Sequence, residues 1–235
     1  MEMQVFEGLT KVGLRGVLAA AVLVGSLVAC SDPNDGSSGA SGPLTGLPAP
    51  RADGPVSLEE ALSGRRSARS FTLEALTVEE VSQLLWAAQG ITASWGGRTA
   101  PSAGALYPLV VYVADQGTLS RYLPDGHRLE IVSEGDLRAD LARAAHDQEA
   151  VAAAPVVFAI TAVPARTEAK YGDRAERYVH LEAGHAAQNL LLQATALGLG
   201  GVPIGAFDDG DVARILRLPE GSVPIYLIPV GHPSE

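Results

Sequence analysis

The chain has 235 residues, 47% of them apolar and 19% charged, the balance of a folded protein rather than a disordered one. Its formal net charge of −10 argues against a broad basic surface for nucleic acid, and Lys11 and Lys170 are its only lysines. Cys30 is the only cysteine, which rules out an intrachain disulfide and a cysteine-rich metal site.

Lys11 and Arg15 precede an apolar run from Val17 to Ala29, broken only by Gly25 and Ser26. The run is shorter than the about 20 apolar residues that cross a bilayer. It ends in Leu27-Val28-Ala29-Cys30, which resembles a bacterial lipobox, where a small residue precedes a cysteine that is lipidated and becomes the mature N-terminus. Residues 1–29 therefore read as a lipoprotein signal peptide and Cys30 as the lipidation site. The expected location is the extracytoplasmic side of a cell membrane, held by the lipid. A plain signal peptide, or a buried helix with an incidental cysteine, is the alternative. Residues 30–55 are rich in Gly, Pro, Ser and Asp and are expected to form a flexible tether. The folded domain is then 56–235.

Ser57 with Glu60 fits a capping box that opens a short helix through Leu62. Thr77 with Glu80 fits a second, and Val81, Leu84, Leu85 and Ala88 at helical spacing predict a helix over 78–89. Leu109–Ala114 reads as a buried strand. Pro124-Asp125-Gly126 marks a turn between two short strands within 121–132. Residues 136–152 are alanine-rich and read as helical, and Pro155–Ala162 as a second buried strand. Tyr178–Leu197 predicts a long helix, apolar or small around most of its circumference and therefore buried at the centre of the domain or against a copy of itself. A short helix over 211–216 and a strand over 225–230 close the chain. Helices and strands interleave without a βαβ repeat, so the fold class is α+β with a mainly antiparallel sheet.

Three segments carry candidate chemistry. Arg65-Arg66-Ser67-Ala68-Arg69 gathers three guanidinium groups and a hydroxyl, which suits a phosphate dianion. Taken alone, it equally describes a solvated charged turn. Thr99–Pro108 (TAPSAGALYP) leads into a strand, and its small residues between prolines make a stiff loop able to approach a flat ring; an ordinary turn has the same composition. Glu182–Phe207 runs from the long helix through a glycine-rich turn into Pro203-Ile204-Gly205-Ala206, where backbone amides are accessible. His180 and His185 lie on different helical faces with no partner at metal spacing, so no metal site is expected and His185 reads as a packed polar residue.

Together these segments resemble the nitroreductase family of FMN enzymes, and within it the SagB-type branch of azoline dehydrogenases. The resemblance spans about Leu58–Pro233. It rests on RRSAR, PSAGALYP, KYGDRAERYVHLEAGHAAQNLLLQATALGLG, and VPIGAF with the closing IPVGHP. It implies a nitroreductase-like fold, a homodimer, and FMN as cofactor. Arg65, Arg66 and Ser67 would contact the phosphate and ribityl chain, and Arg69 would stand beside the pyrimidine edge. Pro101, Ser102, Ala103 and Ala105 correspond to a loop that packs on the flavin from the partner subunit, although Ala105 stands where many relatives carry Asn. Gly205 and Ala206 correspond to the turn that faces the reactive edge, and Gln148 is a candidate partner for the pyrimidine ring. The expected activity is FMN-dependent hydride transfer to or from a small molecule or peptide. No catalytic side chain is forced, although Tyr107 and Tyr171 could deliver a proton, stack on substrate or simply pack. The competing expectation is a non-catalytic, flavin- or ligand-binding surface lipoprotein.

Overall fold

The computed structural model describes residues 42–234. The signal-peptide segment and Cys30 lie outside the described residues. Among those described, no helix is long and apolar enough to cross a membrane.

The chain begins with β1 (Leu44–Gly46), α1 (Leu58–Gly64) and α2 (Val78–Gln89), followed by β2 (Leu109–Ala114), β3 (Thr118–Leu123) and β4 (Arg128–Glu134). Next come α3 (Arg138–Ala144), α4 (Glu149–Ala153), β5 (Val156–Ala162), α5 (Ala165–Tyr171) and α6 (Ala175–Ala196). It closes with β6 (Gly200–Gly201), α7 (Asp209–Ile215) and β7 (Val223–Gly231). One seven-stranded sheet, in the order β1-β4-β3-β2-β5-β7-β6, is antiparallel at every pairing. The expected α+β class and mainly antiparallel sheet are what the structure has.

Local signals place the helices. Ser57 Oγ accepts from the Glu60 amide at 3.1 Å while the Glu60 carboxylate accepts from the Ser57 amide at 2.8 Å. Thr77 and Glu80 repeat the arrangement at 3.2 and 2.7 Å, so both capping boxes form. Strand β5 is apolar throughout because both of its faces are covered. Val156, Phe158, Ile160 and Ala162 face α2 and α6, whereas Val157 and Ala159 face the layer of α3, α4 and α7. Burying a side chain such as Phe158 stabilises the fold by about 2–3 kcal/mol.

Four expectations need correction. The segment 42–55 is not all tether: Leu44–Gly46 pairs with Arg128–Glu130, Ser82 Oγ donates to the Pro48 carbonyl at 2.7 Å, and Gln83 exchanges two hydrogen bonds with the Arg51 backbone at 2.9 and 3.0 Å. Pairing at a sheet edge uses backbone groups, which a Gly- and Pro-rich composition does not disclose. The single helix expected over 136–152 is two, α3 and α4, separated by His146 and Asp147 at φ 58° and 57°. The long helix α6 is not buried all round. Val179, Ala183, Ala186, Leu190 and Ala194 face the core, whereas Leu181 is 52% exposed in a stripe with Arg177, His180, His185 and Gln188. His185 is thus a surface residue in the single chain rather than a packed one.

Candidate active site

The Arg65–Arg69 segment leaves α1 in an extended conformation and lies against the glycines that follow α6. Ala68 N–H donates to the Gly201 carbonyl at 3.1 Å, and Ser67 forms a parallel bridge with Gly201. Gly200 is required at this crossing. A Cβ there would stand 2.5 Å from the Ala68 methyl and 2.8 Å from Pro233 Cγ, closer than carbon atoms approach. The last residues seal the same edge, with Thr72 N–H donating to the His232 carbonyl at 2.9 Å and Ser234 N–H to the Ser70 carbonyl at 3.1 Å. The arginine cluster and the glycine-thin turn, more than a hundred residues apart in the chain, are therefore neighbours.

Arg65 is half-buried, and Arg66, Ser67 and Arg69 are exposed. Arg66 Nη1 donates to the Ser63 and Arg65 carbonyls, both at 2.9 Å. Among the described residues, no carboxylate forms an ion pair with any of the three arginines. The donor set thus remains available to an anion.

Downstream, Ile204 bridges Leu227 of β7, and Gly205 and Ala206 then turn outward, exposed. A methyl group on Gly205 would meet only Tyr226 Cε1, at 3.9 Å, so the space above this turn is open. Gln148 caps α4, and its side-chain amide donates to the Ala206 carbonyl at 3.1 Å. That interaction fixes the turn and occupies a donor that the sequence reading reserved for a ligand.

Residues 101–107 form a tight turn with Gly104, Ala105 and Tyr107 at φ 64°, 55° and 45°. Ser102 Oγ accepts from the Tyr107 amide at 2.9 Å and closes the turn. Pro101 and Ala105 are exposed, while Ser102 and Ala103 are half-buried. Over the outer side of the turn lie Tyr171 and Lys170. A Cβ on Gly104 would stand 2.9 Å from Tyr171 Oη and 3.0 Å from Lys170 Nζ. The Tyr171 ring packs edge-on against Tyr178 with centroids 4.9 Å apart. Tyr107, by contrast, is engaged on every polar group and serves the turn itself.

Beneath the turn is a group that sequence reading missed. Glu182 on α6 is 2% exposed, and its Oε1 has no hydrogen-bond partner among the described residues. Burial pushes its carboxyl up to about 7, against the opposing pull of the Ser102 hydroxyl and the Arg98 charge. A glutamate in an amphipathic helix ordinarily faces water, so no local signal marks it.

A seven-stranded antiparallel sheet crossed by one long helix, with the arginine segment docked on the glycines that follow that helix, defines an α+β domain with a set of cationic donors free of ion pairs at one edge. The chain belongs to the nitroreductase family: the family model matches residues 62–232. A Methanocaldococcus jannaschii protein assigned as a nitroreductase is 43% identical over 187 residues, covering 77% of this chain and 93% of that protein. A solved structure of a protein from Ralstonia eutropha, likewise assigned as a nitroreductase, superposes with a TM-score of 0.75 at 33% identity, covering 82% of this chain and 90% of that one. The Escherichia coli microcin synthetase McbBCD complex, solved with truncated pro-MccB17 bound, shares the fold with a TM-score of 0.65 at 24% identity, over 73% of this chain and 70% of that one. The protein is accordingly a flavin oxidoreductase of this family, whose members typically use FMN.

Proposed function

We propose that the domain binds FMN between the Arg65–Arg69 segment and the Gly205-Ala206 turn, and that it works as an exported, lipid-anchored oxidoreductase of the SagB type. The observation that supports the reading is the docking of Ala68 on Gly201, which sets the arginine segment against the glycines that lead into the open Gly205-Ala206 turn. The fit is chemical. Planar guanidinium forks match a phosphate dianion, and the absence of a side chain at Gly205 lets a flat ring approach the backbone.

Bound FMN would supply hydride transfer, and the chain supplies orientation and electrostatics. Arg65, Arg66 and Ser67 anchor the phosphate and ribityl chain. Arg69 places positive charge beside the ring and favours its anionic reduced form. Gln148 holds the Ala206 turn in place. Tyr171, half-buried with its hydroxyl over Gly104 and Lys170 alongside, is the side chain we assign to moving a proton at the substrate.

The site is completed by a second copy. Along α6, Glu182 at the 101–107 turn and Thr195 beside Gly64 are separated by about 20 Å at 1.5 Å per residue. One chain therefore holds the turn and the arginine cluster apart. An antiparallel copy packed on the exposed stripe of α6, through Arg177, His180, Leu181 and Gln188, would deliver Pro101, Ser102, Ala103 and Ala105 of one subunit to the arginine cluster of the other.

Lipidation at Cys30 would place the domain outside the cytoplasm, where pyridine nucleotides are scarce, and no glycine fingerprint for a dinucleotide follows a strand. Bound FMN would then supply oxidation of a small molecule or peptide with oxygen or a quinone as electron acceptor, or reduction with electrons from a membrane donor. Purified protein is expected to be yellow, to bleach with dithionite and to recover its absorbance in air. A colourless chain that does not take up added FMN would reject the reading. Loss of membrane fractionation in Cys30→Ser tests the anchor separately.

A further inference from the structure

The 101–107 turn is an expensive conformation without a glycine at two of its three left-handed positions, because Ala105 and Tyr107 both adopt positive φ. Small residues alone do not hold such a turn, so its clamp must lie elsewhere. Tyr107 is gripped at four points. Its amide donates to Ser102 Oγ at 2.9 Å, and its carbonyl accepts from Arg166 Nη1 at 3.2 Å. Its hydroxyl oxygen accepts from the Arg98 amide at 3.3 Å, and its ring lies under the Arg98 guanidinium, 4.4 Å from centroid to Cζ. Two of the four grips come from Arg98, one from its main-chain amide and one from its guanidinium.

Arg98 is itself held from below. Its Nη1 donates to Gln89 Oε1 at 2.8 Å at the end of α2, while its Nε has no partner among the described residues. The carboxyl of Glu182 is the main opposing charge acting on it, and the pair does not close to ion-pair distance. A guanidinium that is largely desolvated, lacks a direct ion pair and leaves one donor idle is a poor device for stability. It is a good device for fixing an aromatic ring, since a planar cation stacks face to face where an ammonium cannot.

We propose that Arg98 is the positioning residue of the 101–107 turn: with its guanidinium over the Tyr107 ring, it holds in place the residues that meet the cofactor and that support Tyr171 and Lys170. The inference rests on the flavin reading for what the turn touches, and on this chain alone for how the turn is held.

Arg98→Met, which keeps the length and removes the planar charge, separates positioning from general stability. In the cofactor-free chain, amide hydrogen exchange at Ala105 and Tyr107 is expected to accelerate at least tenfold, with α2 and β5 amides unchanged. In the same variant FMN affinity, read by quenching of flavin fluorescence, is expected to fall at least tenfold while Tm stays within a few degrees. Tyr107→Leu should produce the same loss, and combining the two should add little. Unchanged exchange at 105 and 107, or additive losses in the double variant, would overturn the proposal. Should Arg98→Met not fold, Arg98→Lys keeps the charge without the stack and is expected to show the same accelerated exchange; protection equal to wild type would again overturn it. If the wild-type chain itself takes up no FMN, the flavin reading fails, and the exchange measurement still decides the role of Arg98.

Discussion

The side-chain amide of Gln148 donates to the main-chain carbonyl of Ala206 at 3.1 Å, joining the cap of α4 to a turn 58 residues further along the chain. A side chain that sequence comparison suggests for a ligand is thus spent, at one of its donors, on holding the backbone that the ligand would meet. Gln148→Ala should cost about 0.5–1.5 kcal/mol of stability, the range of a partly exposed neutral hydrogen bond. It should also weaken FMN binding several-fold, because Ala206 is freed. A variant whose melting is lowered but whose FMN affinity is intact would confine Gln148 to a scaffold role.

Two glycines close together are predicted to behave in opposite ways. Gly200→Ala forces a methyl against Ala68 and Pro233 and should destabilise the domain by about 1–3 kcal/mol, as overpacking does. Gly205→Ala has room for its methyl and no positive φ, so its denaturation midpoint should match wild type. Its FMN affinity should nevertheless drop, since the methyl projects where the ring is expected. Equal affinity in Gly205→Ala and wild type would remove that turn from the cofactor site.

The arginine cluster gives the largest expected effect. Charge-assisted hydrogen bonds contribute about 1.5–3 kcal/mol each, so Arg65→Ala with Arg69→Ala should weaken FMN binding by several kcal/mol. Titration calorimetry with FMN and with riboflavin separates the two roles. Loss at Arg65 should largely disappear with riboflavin, which lacks the phosphate, while loss at Arg69 should persist.

Glu182 predicts a pH dependence of stability. Burial raises its carboxyl from 4.5 to about 7, so the folded chain holds a proton that the unfolded chain releases. The group costs nothing below pH 4.5. Its penalty grows as pH rises through about 7 and levels off above, at roughly 3 kcal/mol from the size of the shift. His127 works in the other direction, because burial lowers its pKa below 6.5 and its contribution is lost as pH falls. Comparing urea unfolding of wild type and Glu182→Gln at pH 5 and pH 8.5 isolates the carboxyl, with the variant gaining on wild type at the higher pH. A constant difference between the two proteins across that range would mean that Glu182 is not a buried acid.

How much was legible in the sequence depends on the range of the interaction. Capping boxes at Ser57 and Thr77 act over three residues, the apolar run of β5 is continuous over seven, and both are visible in a linear string. The strand at Leu44–Gly46, the break at His146-Asp147 and the exposed stripe of α6 were not visible. The strand and the stripe are decided by a neighbour far along the chain or by its absence, and the break by two left-handed residues, and composition is silent about all three. The same division runs through the site. Arginines, small residues and glycines advertise themselves as segments, whereas Glu182 and Arg98 look like any charged residue on a helix or in a loop.

The sequence by itself determined the fold class, the two capped helix starts after Ser57 and Thr77, the buried strands and the three segments that resemble a flavin site, because those depend on hydrophobic pattern and short-range hydrogen bonding. Only the tertiary structure decided that the arginine cluster lies on Gly201, that Gln148 braces Ala206, and that the 101–107 turn rests on Arg98 above a buried acid. Contacts between groups a hundred residues apart form only when the sheet and α6 bring them together, and it is burial, not residue type, that gives Glu182 its altered acidity.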